Sequence, residues 1–303
     1  MPSTDYCPPV SDLLSCGRPK NISRTEWFDY VEAYGFTDEH IPELIQLASE
    51  EALDWEDERE CYAPIHAYRV LGQLRAETAI QPLVHLLDLD DSDWFMEELP
   101  TVFGLIGPAC IPALTDYLQV AAPSAWSKAA AAAGLAKIAE HHSGHRDECI
   151  KCITEALSRH QKQPAELNGS LVAKLLALQA VESVDVIEQA YKVGPMDEMF
   201  CGSWARVQIE LGLATAADFS PEELRHQEPD WMASIRQTAN LVEEVAQPND
   251  EPDALASLKA VSKGSNLKQF GQGVLAAKRR KSSQPTTGFG SQRTTKKKKK
   301  RKR

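Results

Sequence analysis

The sequence predicts an all-α protein, an α-solenoid of about five helix pairs followed by a disordered basic C-terminal tail. Three observations predict it. Ala67-Tyr-Arg-Val-Leu-Gly-Gln-Leu, a turn and Ala79-Ile-Gln-Pro-Leu-Val-His-Leu-Leu are followed, about thirty residues on, by Leu99-Pro-Thr-Val-Phe-Gly-Leu-Ile-Gly, a turn and Ala109-Cys-Ile-Pro-Ala-Leu-Thr-Asp-Tyr-Leu. Each copy is two one-sided apolar segments, too short to bury its own face and obliged to stack on its neighbours. Pro42, Pro82 and Pro112 fall at corresponding places, where a first helical turn tolerates the missing amide. Finally, the apolar content is 43% and mostly Ala and Leu, enough for a core and biased to helix.

In chain order, residues 1–21 read as an irregular lead-in, with Pro8 and Pro9 adjacent. Ser23 and Glu26 have capping-box spacing, and Trp27, Tyr30, Val31 and Tyr34 follow at helical spacing to a stop at Gly35. Helical repeats span 22–217. Leu44, Val84 and Leu114 follow each marker proline by two residues and Leu47, Leu87 and Tyr117 by five, so they form one buried stripe per copy. Trp126–Glu140, with Ala129–Ala133 and Gly134, reads as a helix whose small side chains admit close neighbours, and Arg146–His160 as its partner. Leu171–Ala180 with Val184–Tyr191 form the next pair, and Met199–Leu213 opens the last. Residues 218–246 read as capping helices begun by Ser220-Pro-Glu-Glu, and 247–303 as linker and tail.

Charge divides the chain. Of 33 Lys and Arg, sixteen lie after Asp253, where no Asp or Glu occurs, leaving seventeen against 44 acidic residues in 1–253. The body is near −27 and the tail +16. Two regions of such opposite charge imply two jobs. No secretory signal opens the chain, and the longest charge-free run, Leu99–Thr115, is interrupted by Pro100, Pro108 and Pro112, so no membrane span is expected. Seven scattered cysteines fit a reducing cytoplasm better than a disulfide framework.

The Ala-x-x-x-Leu-Gly, turn, Ala-x-x-Pro-Leu-x-x-Leu-Leu pattern of residues 67–118 resembles HEAT-like repeats of the phycobilisome-lyase type. Over Ala33–Leu211 the chain also resembles an uncharacterised bacterial family of such repeats that often ends in a SEC-C zinc motif. That tail motif is absent, and a Lys-rich tail stands in its place. The resemblance is specific for fold and nearly silent on activity; the expected function is a scaffold or adaptor holding a protein partner in a groove, with a phycobilin lyase or chromophore chaperone of the same fold as the alternative. HEAT-like iron hydroxylases use His-Glu pairs, and here no histidine precedes a glutamate.

Local motifs for catalysis are missing: there is no glycine-rich phosphate loop, Gly-x-Ser-x-Gly or His-Glu-x-x-His. The expectation is a non-catalytic protein without a cofactor. Glu43, Gln46, His85, Asp116 and Gln119 are the expected polar lining of the groove. Lys278, Arg279, Arg280 and Lys281, with Lys296, Lys297, Lys298, Lys299, Lys300, Arg301, Lys302 and Arg303, form two basic clusters suited to phosphate contacts, RNA or ribosome before DNA. An import signal or a solvated tail would carry the same clusters. His142, His145, Cys149 and Cys152 have ligand chemistry for zinc, but at helical spacing the thiols fall beside core isoleucines, and no metal is expected. Asp88, Asp90, Asp91 and Asp93 lack the glycine and terminal glutamate of a calcium loop and read as a helix-capping turn. The acidic run 54–60 reads as a solvated loop.

Overall fold

Apolar stripes separated by proline and glycine stops dictate short helices, and the computed structural model contains helices and no strand among its described residues, 6–19, 27–50, 60–88, 93–120 and 123–225. The chain divides into two compact units, Met1–Pro229 and Asp230–Arg303. The second unit, and with it both basic clusters and the expected helix 231–245, lies outside the described residues, as do the Ser23–Glu26 capping box and residues 54–59 of the acidic run.

The helices are α1 (Tyr30–Tyr34), α2 (Ile41–Ala48), α3 (Ala63–Gln73), α4 (Ile80–Leu86), α5 (Asp93–Ile106) and α6 (Ile111–Gln119). There follow α7 (Ala125–His141), α8 (Arg146–Leu157), α9 (Ala165–Ala177), α10 (Val184–Val193), α11 (Glu198–Cys201) and α12 (Trp204–Glu210). Contacts run in two series. In one, α3 packs on α5, α5 on α7, α7 on α9 and α9 on α11; in the other, α4 packs on α6, α6 on α8 and α8 on α10. The series are joined where α4 packs on α5, α6 on α7, α7 on α8 and α8 on α9, and α2 packs on α3.

Every helix of the second series, and α2, follows a single 3-10 turn: 38–40, 77–79, 108–110, 143–145 and 181–183. Pro42 and Pro112 occupy the second helical position, while Pro82 sits third. The six stripe residues are all buried, from Leu44 at 0% exposed to Val84 at 7%. Turns inside three of the pairs share a device. Arg75, Gly107 and Gln179 follow α3, α5 and α9 with positive φ of 53°, 99° and 52°. The Ala76 and Ala180 amides then donate to the Leu71 and Leu175 carbonyls, which would otherwise be orphaned at the helix end.

Several elements depart from expectation. The first helix begins at Tyr30, capped by the Asp29 carboxylate accepting from the Glu32 amide at 2.8 Å, and residues 27–29 are not helical; the stop at Gly35 holds. Residues 6–19 are tied to the body by a 3-10 turn, Val10–Ser15, whose Val10 and Leu13 are fully buried. Helix α5 starts at Asp93, at the end of the acidic turn read as its cap, but runs on through Pro100, losing one backbone bond while burying Leu99, Val102, Phe103 and Ile106. The expected helix 199–213 is broken at Gly202, and Ser203 recaps α12 through the Arg206 amide. Ser220 and Glu223 make their reciprocal capping bonds, yet residues 221–224 form a turn and no helix.

Close packing is built on small residues. Ala130, Ala131 and Ala132 are buried, and Gly134 faces Phe103 and Leu114 with no room to spare. A Cβ on Gly104 would meet the Lys137 Cβ at 2.8 Å, so α5 and α7 approach closer than alanine permits. No single described helix is long and apolar enough to cross a membrane. The most apolar pair, Glu97–Ile106 and Pro108–Gln119, is bent by 116°.

Candidate functional site

In α4 the buried residues are Ile80, Leu83, Val84 and Leu86. This leaves Gln81, His85 and Asp88 exposed at helical spacing on the opposite stripe. Ala113, Asp116 and Val120 occupy the matching stripe of α6 and its end. Between them lies a cavity of about 660 Å³, closed on its third side by the first turn of α7, where Ser124 caps the helix by accepting from the Ser127 amide at 3.1 Å.

The cavity joins polar and apolar groups. The Tyr117 hydroxyl donates to Asp88 Oδ1 at 2.7 Å, fixing one carboxylate at the rim. His85 Nδ1 donates to the Gln81 carbonyl at 3.1 Å. Val84 and Tyr117 form a floor, and Val120, 49% exposed, stands at the lip. Of the predicted lining, the structure brings His85 and Asp116 into this cavity. Glu43 instead accepts the Cys7 amide at 3.0 Å and holds the N-terminal segment. Gln46 and Gln119 are exposed but do not line the cavity.

The zinc candidates are not gathered. His142 Nε2 donates to the Gly104 carbonyl at 3.1 Å, and His145 Nδ1 pairs with Glu148 at 3.1 Å on the surface. Cys149 is buried, its thiol pushed up to about 12 by burial, then by Cys152 and Glu148. Among the described residues no group of three His, Cys, Asp or Glu side chains is placed to hold a metal. Burial pushes Cys110 and Cys201 up to about 12 as well, so neither is a ready nucleophile at neutral pH. Among the described residues no disulfide joins any of the seven cysteines.

A second polar centre lies inside the packing, and it escaped the sequence reading. Arg69 and Glu98, 1% and 0% exposed, form a two-pronged pair with Nε to Oε2 at 2.9 Å and Nη2 to Oε1 at 2.5 Å. The guanidinium carbon sits 4.8 Å from the Trp27 ring centre. Nearby, His66 Nε2 donates to the Gly17 carbonyl at 2.8 Å, which makes Nδ1 the acceptor for the Tyr30 hydroxyl at 2.5 Å. Burial, and secondarily Arg69, lowers the His66 pKa, although the Gly17 bond opposes the shift. Burial raises the Glu98 carboxyl pKa, while the Arg69 hydrogen bond and charge pull against it. The available signal was Arg69 itself, a charge in the middle of an apolar helix stripe, since a fully buried arginine requires a partner.

A second cavity, about 560 Å³, lies against α9, α11 and α12, with Phe200, Arg206 and Glu210 in its walls. Leu224 also lines it, one residue before the described chain stops.

Residues 32–230 match the family described as "Protein of unknown function (DUF1186)". No curated protein and no solved structure matches the chain. The match covers more than half of the sequence, and the chain belongs to that family.

Proposed function

We propose that this DUF1186 protein is a non-catalytic scaffold of the HEAT-like repeat class, receiving a protein partner on the α4–α6 face and attaching to RNA or ribosomes through its basic tail. The solenoid reading is supported by the two unbroken contact series and by the recurrent 3-10 turn before each second helix. One observation carries the partner site: the cavity of about 660 Å³ combines exposed polar groups, His85 and Asp116, with an apolar floor and lip. That mixture suits recognition, in which apolar contact supplies affinity and a few placed polar groups supply orientation. The polar groups of the Arg69 centre are spent on one another inside the packing.

The tail reading rests on charge. A body near −27 repels phosphate, so the sixteen cationic residues after Asp253 must make that contact. A photo-crosslinking residue at position 116, with the same residue at exposed Lys151 on α8 as control, tests the partner site. A discrete adduct from position 116 alone is expected, and equal labelling from both positions defeats the reading. For the tail, RNA binding by the full chain and by a chain ending at Asp253 is compared at about 50 and 200 mM salt, where loss of roughly three to five orders of magnitude in affinity is expected of a six-to-ten phosphate contact. Equal binding by both chains removes the tail from the account.

A further inference from the structure

We infer that the segment received by the α4–α6 cavity is a cationic, amphipathic peptide, with Lys or Arg side chains meeting Asp88 and Asp116 and an aliphatic or aromatic side chain covering Val84 and Val120. This rests on the partner-site reading above and adds the chemistry of the partner. The cavity lining contains two carboxylates and, among the described residues, no Lys or Arg. Tyr117 bonds only one oxygen of Asp88, and a carboxylate accepts at both. Asp116, one α-helical turn before Val120, is exposed on the same stripe, so a cation and an apolar group of one ligand can engage α6 together.

The wider field has the same sign. Residues 1–253 carry 44 acidic against seventeen basic side chains, which raises the local concentration of cationic ligands and turns anionic ones away. A volume of about 660 Å³ accepts several side chains and exceeds the need of one ammonium group. Val120, at 49% exposed beside a nearly buried Val84, supplies an apolar surface that a purely ionic ligand would leave wet. Charge and apolar contact therefore act on one ligand.

The test is titration of the full chain by a soluble peptide of repeated Lys-Leu units, with a Glu-Leu peptide and spermidine as comparisons. The Lys-Leu peptide is expected to bind and the Glu-Leu peptide to fail. Asp88→Asn with Asp116→Asn should weaken the complex about tenfold, and Val120→Ser several-fold, at unchanged melting temperature. Asparagine at 88 still accepts the Tyr117 hydroxyl, so the double variant retains that bond. Equal binding of both peptides, or a Lys-Leu affinity indifferent to the double variant, overturns the inference. Spermidine binding as tightly as the peptide, with no effect of Val120→Ser, also overturns it, because the site would then be a diffuse cation trap. Ala113→Trp, which fills the cavity, separates the two levels. If it abolishes the position-116 adduct while the charge variants do nothing, the docking face stands and its cationic partner falls; if neither matters, both fall.

Discussion

The two series of helices bury their polar residues differently. Helix α3 has nine of its eleven residues buried, among them His66 and Arg69, and α9 buries Asn168 and Ser170 beside its leucines. These helices pack on neighbours to either side and across, so their polar groups must be satisfied internally. The Nδ2 group of Asn168 donates to the His160 and Pro195 carbonyls at 2.9 and 2.7 Å, whereas its buried Oδ1 has no partner among the described residues. By contrast α4 buries four residues and α10 only Ile187 and Ala190. On α4 and the neighbouring α6, His85 and Asp116 lie on the exposed side. Most of the buried polar side chains lie in the first series, and the proposed recognition face lies on the second.

The largest expected effect comes from breaking the internal pair. Glu98→Ala removes the carboxylate facing the buried Arg69 charge and should cost about 3–5 kcal/mol in urea denaturation, whereas Arg69→Met with Glu98→Leu should recover most of it. A double variant as unstable as the single one would show that the polar pair itself is needed for packing. Next is Gly169→Ala, whose Cβ would strike the Asp197 carbonyl between α9 and α11, at a cost of about 1–3 kcal/mol. An unchanged unfolding midpoint would show that α11 can retreat.

A smaller effect depends on pH. The folded-state pKa of His66 lies below the ordinary 6.5, so the unfolded chain binds the proton first. Its contribution is complete above about 6.5 and declines as pH falls toward the lower folded value, and His66→Asn should flatten that part of the stability profile. A slope of opposite sign would place a charged imidazole in the core. The smallest effect belongs to the second series: His85→Ala and Asp116→Ala should each shift stability by less than about 0.5 kcal/mol, with the change appearing in binding. A large loss of stability at either position would erase the contrast between the series.

Much of the helical order was legible because the period of apolar residues survives from Leu44 to Leu211 and because proline marks helix starts in the second series. Boundaries failed where local signals were overruled. Pro100 interrupts the backbone ladder, yet burial of Leu99 and Val102 carries the helix through it. Gly202, with φ of 80°, breaks a run whose apolar spacing alone implied continuity. In the site, His85 and Asp116 were legible as outward positions on adjacent second helices. Asp88, Tyr117 and Val120 were missed as lining, because the 2.7 Å bond between Tyr117 and Asp88 joins residues 29 apart and depends on how two helices pack.

By itself the sequence determined the helical class, the positions of the buried stripes and the charge division at Asp253, since periodicity, proline and net charge are local or additive properties of the chain. Only the tertiary structure decided that Arg69 meets Glu98, that α5 and α7 close over Gly104, and that α4, α6 and the first turn of α7 leave a cavity between them. Such pairings depend on the distance and rotation between packed helices, which no single stretch of residues encodes.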